Sequence, residues 1–255
     1  MFDLRLIRAD ALKLRRRRGM LAFCVAITLG IVALMFTVSG IAYAADPTRH
    51  GPAGGLANYQ QAMWVLTTMT LVVGAVVGST AGAQDLESGV FRDLAATGRS
   101  RVALFGARVP GAWAIVLPIA ALAAAAAAVA SIALADWLPA PRAGAIFTGM
   151  VGVLVAGAFS AAVSVGLAAL TGSRAPVIAT MLAFVFAIAP ILSGIGSLGD
   201  ARQAIPTNAL DRIRDAPGEA PNMPPMGLIT AIVVVVAWAA AAFAAGAWRT
   251  RTREI

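Results

Sequence analysis

Long apolar stretches, interrupted by short charged segments, dominate the chain. Six of them carry no charged residue and exceed the ~20 residues that a helix needs to cross the hydrocarbon core of a bilayer. They cover residues 19–45, 50–84, 109–135, 143–173, 175–199 and 220–248. Their apolar residues do not alternate with polar ones as in a barrel strand, so the pattern predicts six transmembrane helices in an all-α integral membrane protein. Loop-forming residues at 51–55 shorten the second helix to about 61–84, and the sixth is expected at about 225–248.

The composition agrees with this prediction. Of the 255 residues, 60% are hydrophobic and 13% are charged, whereas soluble domains average ~45–50% and ~25%. A cytosolic enzyme, a disordered regulator and a secreted disulfide scaffold are therefore excluded. Cys24 is the only cysteine and His50 the only histidine, which excludes an intrachain disulfide, a thiolate metal cluster and a relay of several histidines.

The distribution of basic residues predicts the orientation. Fifteen of the 20 Lys and Arg residues lie in the termini and in the loops after the second and fourth helices, and five lie on the opposite side. The positive-inside rule then places both termini in the cytoplasm, and we expect a multi-pass protein of the bacterial inner membrane with one domain, 1–255. The first apolar run resembles a signal peptide, but its 27 residues exceed the ~7–15 of such a peptide, so the first helix is expected to be retained.

An amphipathic helix is predicted at about 2–14, within the basic N-terminal region 1–18. One face of it consists of Leu4, Ile7, Ala11 and Leu14. Such a helix lies in the inner interface with its basic residues towards the lipid phosphates. The alternative interpretation is a basic flank that only sets the topology.

Ionisable residues are missing near the middle of every predicted span. A carrier driven by protons or cations usually holds such a residue at mid-depth, so ion-driven transport is disfavoured. Active transport would then need another source of energy. The chain lacks the Walker A pattern of an ATP-binding loop, so it is not expected to hydrolyse ATP itself.

The segment 85–108 joins the second and third helices and is the longest predicted cytoplasmic connection. Its apolar face consists of Val90, Phe91, Leu94 and Ala95, which predicts a short amphipathic helix. Gly98 suits a left-handed helix stop, and Ser100 suits the N-cap of the next helix. The alternative is an amphipathic loop that rests on the membrane.

Gly74, Gly78 and Gly82 recur at every fourth residue of the second helix. Such a stripe of small residues lets another helix approach closely. Packing within the chain and a subunit interface fit this stripe equally well.

Two further features interrupt or connect the spans. Pro118 and Pro190 are expected to interrupt the third and fifth helices. The outer segment 200–219 is predicted to contain a short helix that is capped by Thr207 or Asn208 and is a candidate lid.

Two short segments resemble the permease subunits of type-2 ABC transporters, the ABC-2 type. In the 85–108 segment, the residues that match the family's pattern are Glu87, Gly89, Leu94, Thr97, Ser100, Arg101 and Arg108. At the N-terminus, Leu12, Lys13 and Leu14 with the arginine cluster also match, and Asp10 takes the place of the commoner Glu. Six spans, cytoplasmic termini and an outer helical segment between the fifth and sixth helices fit the family as well.

The resemblance implies a permease without catalytic residues or cofactors of its own, which exports a drug-like, lipid-like or other amphipathic substrate. In that family, the segment between the second and third helices is a coupling helix that docks on a separate ATPase subunit, where ATP and magnesium bind. The implied partners are two ATPase subunits, a second permease and membrane lipids. Charged contacts are expected from Glu87, Arg92 and Asp93, and packing anchors from Phe91 and Leu94. The N-terminal helix is expected to support the coupling helix.

The residues leave three other classes of function open: a stand-alone carrier or channel, an intramembrane enzyme, and a membrane scaffold or receptor. The missing mid-span charges count against the carrier. The single His50 counts against an intramembrane Ser protease and against a Zn protease, which needs the motif H-E-x-x-H. Stimulation of a partner ATPase would count against the scaffold and the enzyme.

Overall fold

The computed structural model describes residues 4–87, 89, 100–214 and 225–252, and the regular secondary structure of these residues is entirely helical. The helices of this part are numbered along the chain as α1 Leu4–Arg15, α2 Arg18–Ala45, α3 Leu56–Glu87, α4 Arg101–Ala133, α5 Ala143–Thr171, α6 Arg174–Gly194, α7 Pro206–Ile213 and α8 Leu228–Thr252. A 3-10 segment, Gly196–Ala204, connects α6 to α7.

Six of these helices are long and apolar enough to cross a membrane, namely α2, α3, α4, α5, α6 and α8. The predicted number of helices long and apolar enough to span a membrane is therefore confirmed. The spans alternate in direction, which gives the bundle two ends. The "α1 end" holds α1, the last residues of α3 and α8, and the first residues of α4 and α6. The "α7 end" holds α7 and the 3-10 segment.

The start of α3 is five residues earlier than the predicted 61, because hydrogen bonds hold the preceding glycines. The N–H groups of Gly54 and Gly55 donate to the carbonyls of Leu134 and Ser131, each at 2.8 Å. Gly55 adopts a φ of +90°, which favours glycine. The glycine-rich segment is thus a docked turn that initiates the helix directly at Leu56.

Helix α4 begins at Arg101, directly after the predicted N-cap Ser100, and so extends two turns before the charge-free stretch that starts at 109. The charge of Arg108 is what bounds that stretch. Arg108 is nevertheless only 2% exposed within the helix. A buried arginine is tolerated only where acceptors surround it, and the acceptors come from other helices.

Helices α3 and α5 form the centre of the bundle. Of an apolar stretch of 18 residues in each helix, 72% is buried in α3 and in α5, against 17% in α6 and 11% in α8. The glycine stripe of α3 lies in this contact. A Cβ on Gly74 would lie 2.7 Å from Ser160 Cβ, and a Cβ on Gly82 would lie 2.7 Å from Ala168 Cβ. The stripe therefore packs within the chain against α5.

The two prolines have different effects on their helices. Helix α4 continues through Pro118, so the predicted interruption there is wrong. Helix α6 contains a π-helical segment, Phe184–Ile188, immediately before the turn with Pro190. Proline has no N–H and its ring clashes with the carbonyl four residues earlier, and the wider π turn accommodates both defects.

The outer connection between α6 and α8 contains the short helix α7, but neither predicted cap forms. The N-cap position of α7 is Ile205, and no side chain caps the helix. The amide of Asn208 instead donates to the carbonyl of Arg202 at 2.9 Å, and its Oδ1 accepts from the Ser193 hydroxyl at 2.9 Å. Asn208 thus fastens α7 to the end of α6.

Candidate functional site

At the α1 end, Glu87 is the last residue of α3, and its carboxylate reaches the start of α6. Oε1 accepts a hydrogen bond from the backbone N–H of Arg174 at 2.8 Å and one from the Ser173 hydroxyl at 3.3 Å. Oε2 lies 3.5 Å from Arg174 Nε. A carboxylate at a helix N-terminus is favoured because unsatisfied N–H groups and the helix dipole attract negative charge.

The other predicted coupling residues flank a part of the chain that the structure does not describe. Gly89 has a φ of +74°, and among the described residues no side chain or backbone atom lies within 4 Å of where its Cβ would be. Ser100 is the N-cap of α4, as predicted, although its hydroxyl caps no N–H, and Arg101 is the first residue of that helix. The remaining predicted contacts lie outside the described residues, namely Phe91, Arg92, Asp93, Leu94 and Thr97.

A cluster of four charged side chains joins three helices at the α1 end: Asp10 and Lys13 of α1, Asp85 of α3, and Arg108 of α4. Lys13 Nζ lies 3.3 Å from Asp85 Oδ2 and 3.5 Å from Asp10 Oδ1. Arg108 places one guanidinium nitrogen 3.5 Å from Asp85 Oδ2 and donates from the other to the carbonyl of Gly82 at 2.7 Å. We call this group the "α1 charge cluster".

The family resemblance points to Asp10, Lys13 and Arg108 one at a time. Neither local spacing nor hydropathy pairs any of them with Asp85. The available signal was Arg108 itself, since an arginine with apolar neighbours on both sides in the sequence needs an acidic partner.

Close backbone packing supports the α1 charge cluster. Leu14 is 2% exposed, and a Cβ on Gly111 of α4 would lie 2.9 Å from Asp10 Cβ. Leu4 and Leu12 remain 69% and 51% exposed. The predicted apolar face is therefore divided: its C-terminal part packs on protein, and Leu4 at its N-terminal part is exposed.

The pKa of the Asp10 carboxyl is raised above its ordinary value of 3.8. Burial is the main cause, and the positive charges of Lys13 and Arg108 oppose part of the rise. A raised pKa in the folded chain means that folding favours the protonated acid. The stabilisation from Asp10 is then full below 3.8 and is lost as the pH rises through the folded-state pKa.

Asp10→Asn is expected to remove this pH dependence, because the amide has a similar size and does not ionise. The unfolding midpoint of the wild type in detergent should fall relative to that of the variant as the pH rises from 3.8 towards neutrality. Asp200→Asn, at an exposed position of the α7 end, is the control. A difference between wild type and Asp10→Asn that stays constant or grows in the opposite direction would contradict the expectation.

A cavity of about 430 Å³ lies towards the α7 end between α3, α6 and α7. Its walls are mainly apolar and include the aromatic rings of Trp64 and Phe186. The polar groups that face it are Thr67, Thr68, Ser193, Thr207, Asn208 and Asp211. Such a volume, with apolar walls and a few polar groups, is typical of sites for small organic molecules.

The polar side of the cavity is internally bonded. Besides the Ser193–Asn208 contact, Asp211 Oδ1 lies 3.3 Å from a guanidinium nitrogen of Arg214. The positive charge of Arg214, the residue that follows α7, therefore balances the Asp211 carboxylate. This arrangement suits a neutral or amphipathic molecule better than a small ion.

Residues that hold metals do not cluster in the described part of the chain. Among residues 4–87, 89, 100–214 and 225–252, no three His, Cys, Asp or Glu side chains converge on a common point.

No protein-family model and no curated protein matches this chain. The likeness to ABC-2 permeases consequently stays a prediction from the residues.

Proposed function

We propose that this chain is the permease subunit of an ABC transporter of the ABC-2 type, which exports an amphipathic substrate. Two copies, or this chain and a related permease, would work with two ATPase subunits. Closure of the ATPases on ATP would displace the permeases as rigid bodies and change access to the pathway by alternating access.

The observation that carries this proposal is the bracing of the α1 end. The predicted coupling residues lie on the segment between α3 and α4. Lys13 of α1 pairs with Asp85 of α3, which also pairs with Arg108 of α4, and Asp10 of α1 packs against Gly111 of α4. A segment that receives force from a partner needs rigid supports on both sides. The α1 charge cluster supplies them, since its ion pairs join α1 to α3 and α3 to α4.

The cavity agrees with the proposed substrate class. Its apolar walls and its few hydroxyl and amide groups suit an organic molecule with both apolar and polar parts. Within the described spans, the ion pair between helices formed by Asp85 and Arg108 lies at the α1 end. This placement supports an external source of energy over an ion gradient.

The test is coupling to an ATPase. The full-length chain would be purified from its native membranes together with any ATPase subunit and reconstituted in liposomes. Phe91→Ala with Leu94→Ala should weaken ATPase binding by roughly 30-fold or more and abolish stimulation of ATP hydrolysis, because buried anchors carry most of an interface's binding energy. Leu122→Ala with Val129→Ala, at exposed positions of α4, is the matched control.

Two results would overturn the proposal. One is unchanged ATPase binding and stimulation by the Phe91 and Leu94 double variant. The other is transport by the chain alone, in liposomes without ATP or a partner, which would make it a stand-alone carrier or channel.

A further inference from the structure

The cavity and the Glu87 contact involve the same pair of helices at opposite ends. Glu87 ends α3 and holds the first residues of α6. The cavity is lined by Trp64 and Leu71 of α3 and by Phe186 and Pro190 of α6. A change in the angle between α3 and α6 would therefore alter the width of the cavity.

The half of α6 at the α1 end is anchored. Val177 is 2% and Met181 6% exposed, and both belong to a buried cluster that includes Ala83 of α3 and Ala168 of α5. The Glu87 carboxylate adds a hydrogen bond and an ion pair to this packing. This half thus moves with the end of α3.

The half of α6 beyond Met181 is less deeply buried, and its contacts are the Phe184–Trp238 ring pair, Val185 at the edge of the same cluster and the bonds of Ser193 at its end. The π segment Phe184–Ile188 has no buried residue, and in the following turn only Ala189 is buried. Pro190 supplies no N–H to the ladder, and π turns and prolines are the usual places where helices bend. The backbone is thus weakest where Val185 and Phe186 line the cavity.

We propose that Glu87 is a positioning residue that clamps the first half of α6 to α3, and that α6 bends at Phe184–Ile188 to change the width of the cavity. A displacement at the α1 end of α3 would pass through Glu87 to Arg174 and reach the cavity wall. That this bending serves transport rests on the proposed function; the clamp and the bend themselves do not.

Distances between spin labels test the proposal in the full chain alone, in lipid nanodiscs and without any ATPase. In a Cys24→Ala background, one pair of labels would occupy Leu122 and Ala179, and the other Leu122 and Ile191. These three side chains are exposed, and Ala179 and Ile191 lie on opposite sides of the π segment. Double electron–electron resonance then reports each half of α6 separately.

Glu87→Ala should shift the Leu122–Ala179 distance by about 2 Å or more, the scale of helix shifts in conformational transitions. Glu87→Gln keeps an acceptor for the Arg174 N–H but loses the charge, so its shift should be smaller. Asp200→Ala, at the α7 end, should shift neither distance. If Glu87→Ala does not fold, two single variants replace it, Arg174→Gln and Glu87→Gln. Both must then shift the Leu122–Ala179 distance in the same direction.

Pro190→Ala tests the bend, because alanine restores a backbone donor to α6. The Leu122–Ile191 distance distribution should narrow, while the Leu122–Ala179 distribution stays the same. An unchanged Ala179 distance in the Glu87 variants would overturn the clamp, and an unchanged Ile191 distribution in Pro190→Ala would overturn the bend. Because these distances are measured without an ATPase, the expected shifts would support the clamp and the bend even if the test of ATPase coupling failed.

Discussion

Replacing Arg108 with methionine is expected to lower the free energy of unfolding by about 3 kcal/mol, the lower end of the ~3–5 kcal/mol cost of breaking a buried ion pair, because Asp85 keeps its contact with Lys13. The variant loses the donor to the Gly82 carbonyl and the contact with the Asp85 carboxylate. The Asp85 side chain is only 12% exposed, so water replaces little of what is lost. Methionine fills a similar volume, so the loss of charge rather than of packing dominates.

Equilibrium unfolding in mixed micelles measures this cost. Arg142→Met, at an exposed position before α5, is the matched control and should change the free energy of unfolding by no more than about 0.5 kcal/mol. Asp85→Asn combined with Arg108→Met should recover part of the loss, because both buried charges between α3 and α4 are then removed and Lys13 keeps Asp10 as a partner. Equal unfolding curves for Arg108→Met and Arg142→Met would contradict the importance of the α1 charge cluster.

Gly78→Ala is expected to destabilise the protein by about 1–3 kcal/mol, although alanine is the better helix former. A Cβ at this position would lie 2.9 Å from Ala161 Cα and 3.0 Å from Ala161 C, which are backbone atoms of α5. Backbone cannot turn aside as the end of a flexible side chain can. Helices α3 and α5 would have to separate, and their contact is the centre of the bundle.

Gly40→Ala provides the control for this prediction. It makes the same chemical change in a span, but nothing lies within 4 Å of the new methyl group. It should leave stability unchanged or raise it by up to about 1 kcal/mol, the difference in helix propensity. Thermal unfolding of both variants in one detergent separates the two effects, and a Gly78→Ala midpoint at or above that of Gly40→Ala would show that the packing tolerates the methyl group.

The helix boundaries show how far local patterns reach. The prediction for α5 was correct to within two residues, because charged or loop-forming residues bound it on both sides. The charge-free stretch of the third span begins two turns after the start of α4, because Arg108 carries a charge although it lies within the helix. Its partner Asp85 comes from α3, and the hydropathy of the residues around Arg108 does not reveal a partner on another helix.

The residues of the candidate site also differ in whether the sequence alone could place them. Ser100 at the start of α4 could be placed from its type and position. The contact between Glu87 and Arg174 could not, since a glutamate at a helix end suits a partner protein and a neighbouring helix equally well. The role of Glu87 as a contact for an ATPase stays a prediction, and its carboxylate already serves within the chain.

The free energy of transferring a helix into lipid depends on the residues of that helix alone, so hydropathy is a local property of each segment. The number of spans and their helical nature could therefore be predicted without knowing the neighbours of any residue. Pairing is different: Lys13 and Asp85 are 72 positions apart, and Glu87 and Arg174 are 87 apart. Which helix covers the glycine stripe, which carboxylate neutralises Arg108 and where a cavity opens depend on how the helices pack, because many packings satisfy the same hydropathy and only one brings these groups into contact.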